Sequence, residues 1–324
     1  MPKKGKQDQV KTLLNWIGPF IGLILVLVIF ASMPEIQDRF LRIANLKSVA
    51  TQSVIIALGA LGMTLIIISG GIDLSAASNI ALASVTTAYA INAGVSLPWA
   101  ILIGVLTGGL VGLVNGFLIT SLRLVPFIVT LGMLGIARGI AKWTAKNQKI
   151  DAPITWVNDL MSSTPRPPWL LLAPGVWVLI FLAVLMAVVL RYTVFGRHIF
   201  AIGSNEATAR LCGIRINSTK VAIYSTAGLF CGLSGVMQFS RLTVGDPTVA
   251  VGLELDIIAA VVIGGGSLSG GSGSILGSMI GVFIMAFLRN GSNMMGWPNY
   301  IQQIIIGGII VIAVALDQIR HRKE

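Results

Sequence analysis

Charge is what this sequence has least of. Only 11% of its 324 residues are Asp, Glu, Lys or Arg, against about 25% in an ordinary soluble domain. Cysteine and histidine are nearly absent, with two of each. Cys212 falls in a polar segment and Cys231 inside an apolar run, so no disulfide framework is indicated. His198 and His321 stand far apart in the chain, and without a cluster of soft ligands no metal site is expected. No Gly-x-x-x-x-Gly-Lys-Ser/Thr loop occurs, and the glycine-rich segment 264–273 has no lysine, so the chain has no phosphate cradle of its own. The Gly-x-Ser-x-Gly elbow and the His-Glu-x-x-His motif are missing too, which removes support for intramembrane hydrolysis. The repeated intramembrane acids and bases of a proton-coupled carrier are also lacking.

What the sequence does have is apolar length. Hydrophobic residues make up 55% of it, and the mean hydropathy is +0.88. A helix needs about 20 mostly apolar residues to cross a hydrocarbon core of about 30 Å. The runs 14–33, 48–69, 98–121, 169–190, 218–240 and 300–316 approach or exceed that length, and shorter or glycine-broken runs lie at 75–94, 124–141, 255–266 and 273–289. The sequence therefore predicts an all-α, polytopic transmembrane bundle of about ten spans. The runs do not alternate apolar and polar residues, which excludes the strands of a membrane barrel. The longest polar gaps, 142–168 and 191–217, are too short for a separate soluble core. Lys3, Lys4, Lys6 and Lys11 before the first run imitate a signal peptide, but Phe30-Ala31-Ser32-Met33 is a poor cleavage site and the first helix is expected to be retained.

The net charge of +11 reads as membrane topology rather than nucleic-acid binding, because the basic residues sit between spans. With ten spans and a cytoplasmic N-terminus, 13 of the 23 Lys and Arg fall on the cytoplasmic side. Glu35, Asp38, Asp151, Asp159, Asp246, Glu254 and Asp256 then fall outside. Both termini are expected in the cytoplasm, with tails 1–13 and 317–324.

Two segments interrupt the helical pattern. Ser69-Gly70-Gly71-Ile72-Asp73-Leu74-Ser75 lies between apolar runs, and 264–273 holds six glycines in ten residues. Gly70-Gly71 followed by Leu74-Ser75, Ser78, Leu82 and Ser84 matches Gly265-Gly266 followed by Leu268-Ser269, Ser272, Leu276 and Ser278, with one residue of gap. Paired glycine-broken spans are a pointer to a transport pathway; the alternative is convergent use of small residues for close packing. Gly104, Gly108 and Gly112, and likewise Gly228, Gly232 and Gly235, are read as packing stripes.

Asp73 is the single charge between Thr51 and Leu122. Two readings stay open for it: an ionisable pathway group at membrane depth, or a turn aspartate that caps the next helix with Ser75. Arg138 is expected to reach the interface and to have a structural partner, such as an outside carboxylate, rather than a substrate role. Residues 205–213 read as a short amphipathic helix capped by Asn205, with Glu206 in its first turn and Gly213 at its end. Ala207, Ala209, Leu211 and Cys212 would give it a small-residue surface beside Arg210. Such a helix suits docking into a partner's groove, or else lies on anionic lipid.

Four stretches carry a resemblance to a known family: LGMTLIIISGGIDLS at 61–75; NGFLIT at 115–120 with PFIVTLGML at 126–134 and Arg138-Gly139; FGRHIFAIGSNEATARLCGI at 195–214; and GLELDIIAAVVIGGGSLSGGSGS at 252–274. Together they resemble the membrane permease of bacterial ATP-binding-cassette sugar importers of the ribose, xylose and autoinducer-2 type, within the branched-chain-amino-acid/sugar permease superfamily. Ala76-Ala77 stand where Val-Gly is usual, and Gly266 where Thr is common. The resemblance implies a single permease domain over 1–324 in the bacterial inner membrane. It also implies a second permease subunit, a cytoplasmic ATPase that uses the ATP, and a periplasmic sugar-binding protein. No cofactor of its own and no nucleic acid are implied. The helix in 205–213, within the loop 191–217, would be the coupling helix, carried by Asn205, Glu206, Ala207, Ala209, Arg210 and Gly213. Ser69, Gly70, Gly71, Asp73, Ser75, Asn79, Gly265, Gly266 and Ser267 would lie along the pathway of a neutral, hydroxyl-rich solute. A permease for branched-chain amino acids and an ion-coupled secondary carrier are the alternatives.

Overall fold

The computed structural model describes residues 6–165 and 167–321. Of the expected tails, Lys3, Lys4, Arg322 and Lys323 lie outside the described residues, whereas 6–13 and 317–321 continue the first and last helices. Fourteen helices are described: α1 Lys6–Ala31, α2 Gln37–Phe40, α3 Ile43–Ile68, α4 Ala76–Asn92, α5 Leu97–Ser121, α6 Pro126–Thr144, α7 Trp156–Asp159, α8 Pro174–Tyr192, α9 Val194–Ser204, α10 Glu206–Leu211, α11 Ile216–Leu242, α12 Leu253–Ile263, α13 Ile275–Met294 and α14 Asn299–His321. Pro98, Pro126 and Pro174 open α5, α6 and α8, where a missing N–H costs nothing. The two-residue strands β1 (Ile150–Asp151) and β2 (Val244–Gly245) pair antiparallel, with Ile150 opposite Gly245.

Helix α3 is the axis of the bundle. Every residue from Ser53 to Ser69 is buried, and α8, α9, α11, α12 and α13 pack round it. Lipid tails are as apolar as these side chains, so close packing and a few polar bonds must hold the helices together. Ser234 on α11 donates to the Ile55 carbonyl at 2.7 Å, and Thr64 on α3 meets Ser278 on α13 at 2.7 Å. Helices α5 and α11 cross closely. A Cβ on Gly108 would strike the Gly228 carbonyl and the Gly232 backbone, and one on Gly112 would strike the Tyr224 carbonyl. The glycine stripes thus set the distance between these helices, as their spacing predicts. On its far side α5 exposes Leu102, Leu106, Leu110, Leu113 and Phe117, a stripe every three or four residues suited to hydrocarbon.

Among the described residues, six helices are long and apolar enough to cross a membrane: α3, α5, α6, α8, α11 and α13. The other four expected runs fall on α1, α4, α12 and α14; α4 and α12, at 17 and 11 residues, are shorter than that measure, while α1 and α14 are 26 and 23 residues long. Helix α12, at 11 residues and 1.5 Å per residue, is about 16 Å long and too short to cross as a helix. Length and composition together establish six spans among the described residues; the sequence runs predict ten.

Candidate functional site

The two glycine-broken segments end their helices in the same way. Helix α3 is closed by Ser69 and then Gly70 at φ +80°, with Gly70 N–H donating to the Ile67 carbonyl and Gly71 N–H to the Ile66 carbonyl, both at 2.9 Å. Helix α12 is closed by Gly264 and then Gly265 at φ +93°, with Gly265 N–H donating to Val262 and Gly266 N–H to Val261, again both at 2.9 Å. Each is a Schellman cap, whose left-handed residue favours glycine. Gly70 and Gly265 are exposed, and Gly71 and Gly266 are buried. The internal match in the sequence is therefore a repeated helix end.

Asp73 takes the turn reading. It is 2% exposed, and its Oδ1 accepts from the Ser75 N–H at 2.8 Å and the Ser75 hydroxyl at 2.6 Å. Asn115 on α5 donates to Ser75 Oγ at 2.9 Å, Asn79 donates to the Gly108 carbonyl at 3.1 Å, and Thr130 on α6 donates to the Ile72 carbonyl at 3.2 Å. The carboxylate thus holds the 73–75 turn, while Ser75, Asn79 and the Ile72 carbonyl tie the start of α4 to α5 and α6. Ser69, Ser75, Asn79 and Ser267 are buried as well. Three buried oxygens beside this cluster, Asn79 Oδ1, Asn115 Oδ1 and Tyr224 Oη, have no protein partner among the described residues. Such groups normally find one.

The two helix ends meet a third segment. Gly271 N–H donates to the Ile68 carbonyl at 2.8 Å. A Cβ on Gly203, near the end of α9, would strike that same carbonyl and stand 2.6 Å from the Gly271 nitrogen. A Cβ on Gly270 would stand 2.6 Å from the Gly203 carbonyl. Three backbones touch here with no side chain between them. The segments 69–75, 191–217 and 264–274 therefore share one end of the bundle.

Helix α10 forms where the sequence places it. Asn205 Oδ1 accepts from Thr208 N–H at 2.8 Å. At its other end Gly213 N–H donates to Arg210 and Ile214 N–H to Ala209, a third Schellman cap. Glu206 pairs with Lys220 on α11 at 2.6 Å and with Arg210 at 3.5 Å. One expectation is corrected: Ala209 is not part of the outer surface. It is buried against Ile202 and Ile216, because the helix turns that side onto the bundle. Ala207, Cys212 and Leu211 are exposed, Leu211 at 89%.

At the opposite end of the bundle, β1 and β2 bind residues 149–151 to the α11–α12 connection. Arg138 has a structural partner, as expected, but not a carboxylate. Its Nη1 donates to the carbonyls of Pro247 and Val249, both at 2.7 Å. Two backbone oxygens converge on it where a carboxylate was expected, because the 246–249 turn folds over α6. Asp246 meanwhile holds its own turn, accepting from Thr248 N–H at 2.8 Å and Thr248 Oγ1 at 2.6 Å.

This end also contains what sequence reading missed, a cavity of about 440 Å³ between α3, α11, α13 and residues 249–253. Its polar wall is Gln52, Gln238, Arg241, Arg289, Asn290 and Asn293. Arg289 forms an ion pair with Asp256 of α12. Asn45 and Asn290 exchange amide bonds at 2.8 and 3.0 Å, and Asn293 accepts from Gln302 at 2.7 Å. The signal was Arg289. Closing the apolar run at 289 makes it an edge residue, but α13 continues to Met294 and puts the guanidinium inside a candidate span, where a charge marks function by default. Among the described residues, no three His, Cys, Asp or Glu side chains gather as metal ligands.

Comparison with known proteins adds an independent finding. The family described as "Branched-chain amino acid transport system / permease component" matches residues 45–314. The ribose import permease protein RbsC of Escherichia coli (strain K12) is 36% identical over 310 residues, 93% of this chain and 94% of its own length. Its namesake in Bacillus subtilis (strain 168) is 39% identical over 305 residues, 93% and 92% of the two chains. The L-arabinose ABC transporter permease protein AraH of Azospirillum brasilense is 36% identical over 304 residues, 94% and 88%. No solved structure matches.

Proposed function

We propose, from the premise that this chain belongs to the permease-component family of branched-chain amino acid transport systems, that it is the membrane permease of an ATP-binding-cassette importer for a monosaccharide. The observation that carries this reading is the 36–39% identity to ribose import permeases along nearly the whole of both chains. The L-arabinose and autoinducer-2 import permeases among the relatives point the same way, toward small hydroxyl-rich solutes and away from branched-chain amino acids.

In this reading the permease is a multi-pass protein of a bacterial inner membrane with both termini in the cytoplasm. It pairs with a second permease subunit, takes sugar from a periplasmic binding protein, and catalyses no reaction itself. A cytoplasmic ATPase seats on α10, where Leu211, Ala207 and Arg210 stand outward. Closure of the ATPase on ATP moves α9 and α10. Gly203 then presses on the Ile68 carbonyl and on Gly270-Gly271, so both broken helix ends move with the coupling segment. This is a two-state packing switch of the kind interfaces support. Ser69, Asp73, Ser75, Asn79 and Ser267 form the wall that opens, and the unpartnered oxygens of Asn79, Asn115 and Tyr224 gain water or sugar partners as it does.

Reconstitution tests the energy source. The permease alone in liposomes is expected to give no concentrative ribose uptake, and addition of ATPase, binding protein and ATP is expected to restore it. Accumulation driven by a proton or sodium gradient without ATP would replace this reading with a secondary carrier.

Docking is tested by Glu206→Arg. The change removes the partner of Lys220 and sets a third cation beside Lys220 and Arg210 at the positive end of α10. ATPase co-purification is expected to fall at least about tenfold, the effect of losing about 1.4 kcal/mol of binding, while the permease still inserts. Full docking and uptake would make α10 a lipid-facing element.

A further inference from the structure

We propose that the cavity between α3, α11 and α13 is a receiving site for one neutral monosaccharide, at the end of the bundle away from α10. The proposal rests on the sugar-import reading above and adds the place where this chain first holds the sugar. Its volume, about 440 Å³, falls within the range of about 300–1,000 Å³ typical of small-molecule sites.

The chemistry of the wall selects the ligand. Gln52, Gln238, Asn290 and Asn293 line the cavity. Carboxamides both donate and accept, which matches hydroxyls; a carboxylate ligand would only accept. Gln238 is 95% buried, being 5% exposed. Among the described residues it has no side-chain hydrogen bond, and it lies on the cavity wall, so its donor and acceptor are both free for a ligand there. Arg289 is paired with Asp256, and its buried Nε has no partner. Arg241, also on the wall, forms no ion pair among the described residues and adds N–H donors, so the sugar-acid arm of the test below decides between a neutral and an acidic ligand. Ile55, Ile56 and Leu253 supply an apolar side for the C–H face of a sugar ring.

The position of the cavity ties it to the coupling end. Helix α3 lines it with Val49–Ile56 and ends at Ile68 in the three-backbone junction. Helices α12 and α13 likewise run between the cavity, at Leu253 and Arg289, and the glycine-rich segment at the junction. A shift at the junction therefore reaches three walls of the cavity through continuous helices.

The test is protection of a cysteine in the full chain, purified into lipid nanodiscs. Gln52→Cys is made with Cys212→Ser; Cys231 is buried and unreactive. Maleimide labelling of position 52 is expected to slow about fivefold with D-ribose at about four times its dissociation constant. Adding Gln238→Leu is expected to abolish that protection while leaving labelling without sugar unchanged. Protection that survives Gln238→Leu would place the sugar elsewhere and overturn the proposal. Protection by leucine or by a sugar acid, with none by D-ribose, would overturn both the neutral-sugar ligand and the import reading. No protection by any of the three, while the unsubstituted importer accumulates ribose, would overturn the cavity assignment and leave the import reading standing.

Discussion

Arg289→Leu is expected to destabilise this permease far more than Asp256→Asn. The two side chains form a pair with unequal surroundings: Arg289 keeps 38% of its side chain exposed and Asp256 keeps 2%. Breaking a buried pair by removing one partner costs about 3–5 kcal/mol, because the remaining charge stays buried and unmatched. Removing Arg289 leaves the buried carboxylate stranded on α12, so that change belongs at the upper end. Removing the charge of Asp256 leaves a guanidinium that faces the cavity, where solvent screens it and discounts the loss. The double replacement Asp256→Leu with Arg289→Leu is expected to recover much of the stability, since an apolar pair can replace a buried ion pair without loss. Heating the detergent-purified variants and measuring the monodisperse fraction that remains gives the order: wild type, then Asp256→Asn, then Arg289→Leu, with the double variant above Arg289→Leu. Equal losses from the two single changes would show that the pair is not asymmetric as described.

The second large effect is expected at Gly203. Gly203→Val puts a β-branched side chain where even a Cβ strikes the Ile68 carbonyl and crowds the Gly271 nitrogen. The neighbour is backbone on both sides, so no flexible side chain can move out of the way. The hydrogen bond from Gly271 to Ile68 must lengthen or break, and the coupling segment must separate from both helix ends. The sequence of α10 is untouched, so the ATPase is expected to co-purify and hydrolyse ATP. Ribose uptake by the reconstituted complex is expected to fall at least about a hundredfold, the equivalent of about 2.7 kcal/mol in the step that links the two ends. Glu206→Arg fails one step earlier, at docking. Uptake by Gly203→Val equal to wild type would mean that motion reaches the helix ends by some other contact.

Much of the fold was legible because a bilayer simplifies the problem. A long apolar run with few charges must bury its own backbone hydrogen bonds, and a helix is the element that does so within one segment. The caps were legible for a local reason as well. Asn205 and Gly213 act on atoms within a few residues of themselves, so spacing alone identifies them; Gly70 and Gly265 read only as interruptions of the helical pattern, and the structure showed them closing α3 and α12. Ala209 was misread, and the particular partner of Arg138 was not legible, because their partners come from elsewhere: Ile202 and Ile216 cover the first, and the Pro247 and Val249 carbonyls hold the second. Hydropathy registers α12 as a run while saying nothing of its 11-residue length, so that run is not by itself a helical crossing.

The sequence by itself determined the helical class, the glycine stripes, the match between the two glycine-broken segments and the capped helix at 205–213, all of which follow from residue type and local spacing. Only the tertiary structure decided what those parts do together. It put Gly203, Ile68 and Gly271 in backbone contact, turned Asp73 inward onto Ser75, and gathered Gln52, Gln238 and Arg289 around one cavity. These residues lie on helices far apart in the chain, and which faces of those helices meet is settled by packing shape and polar bonds between segments, which no single stretch of sequence contains.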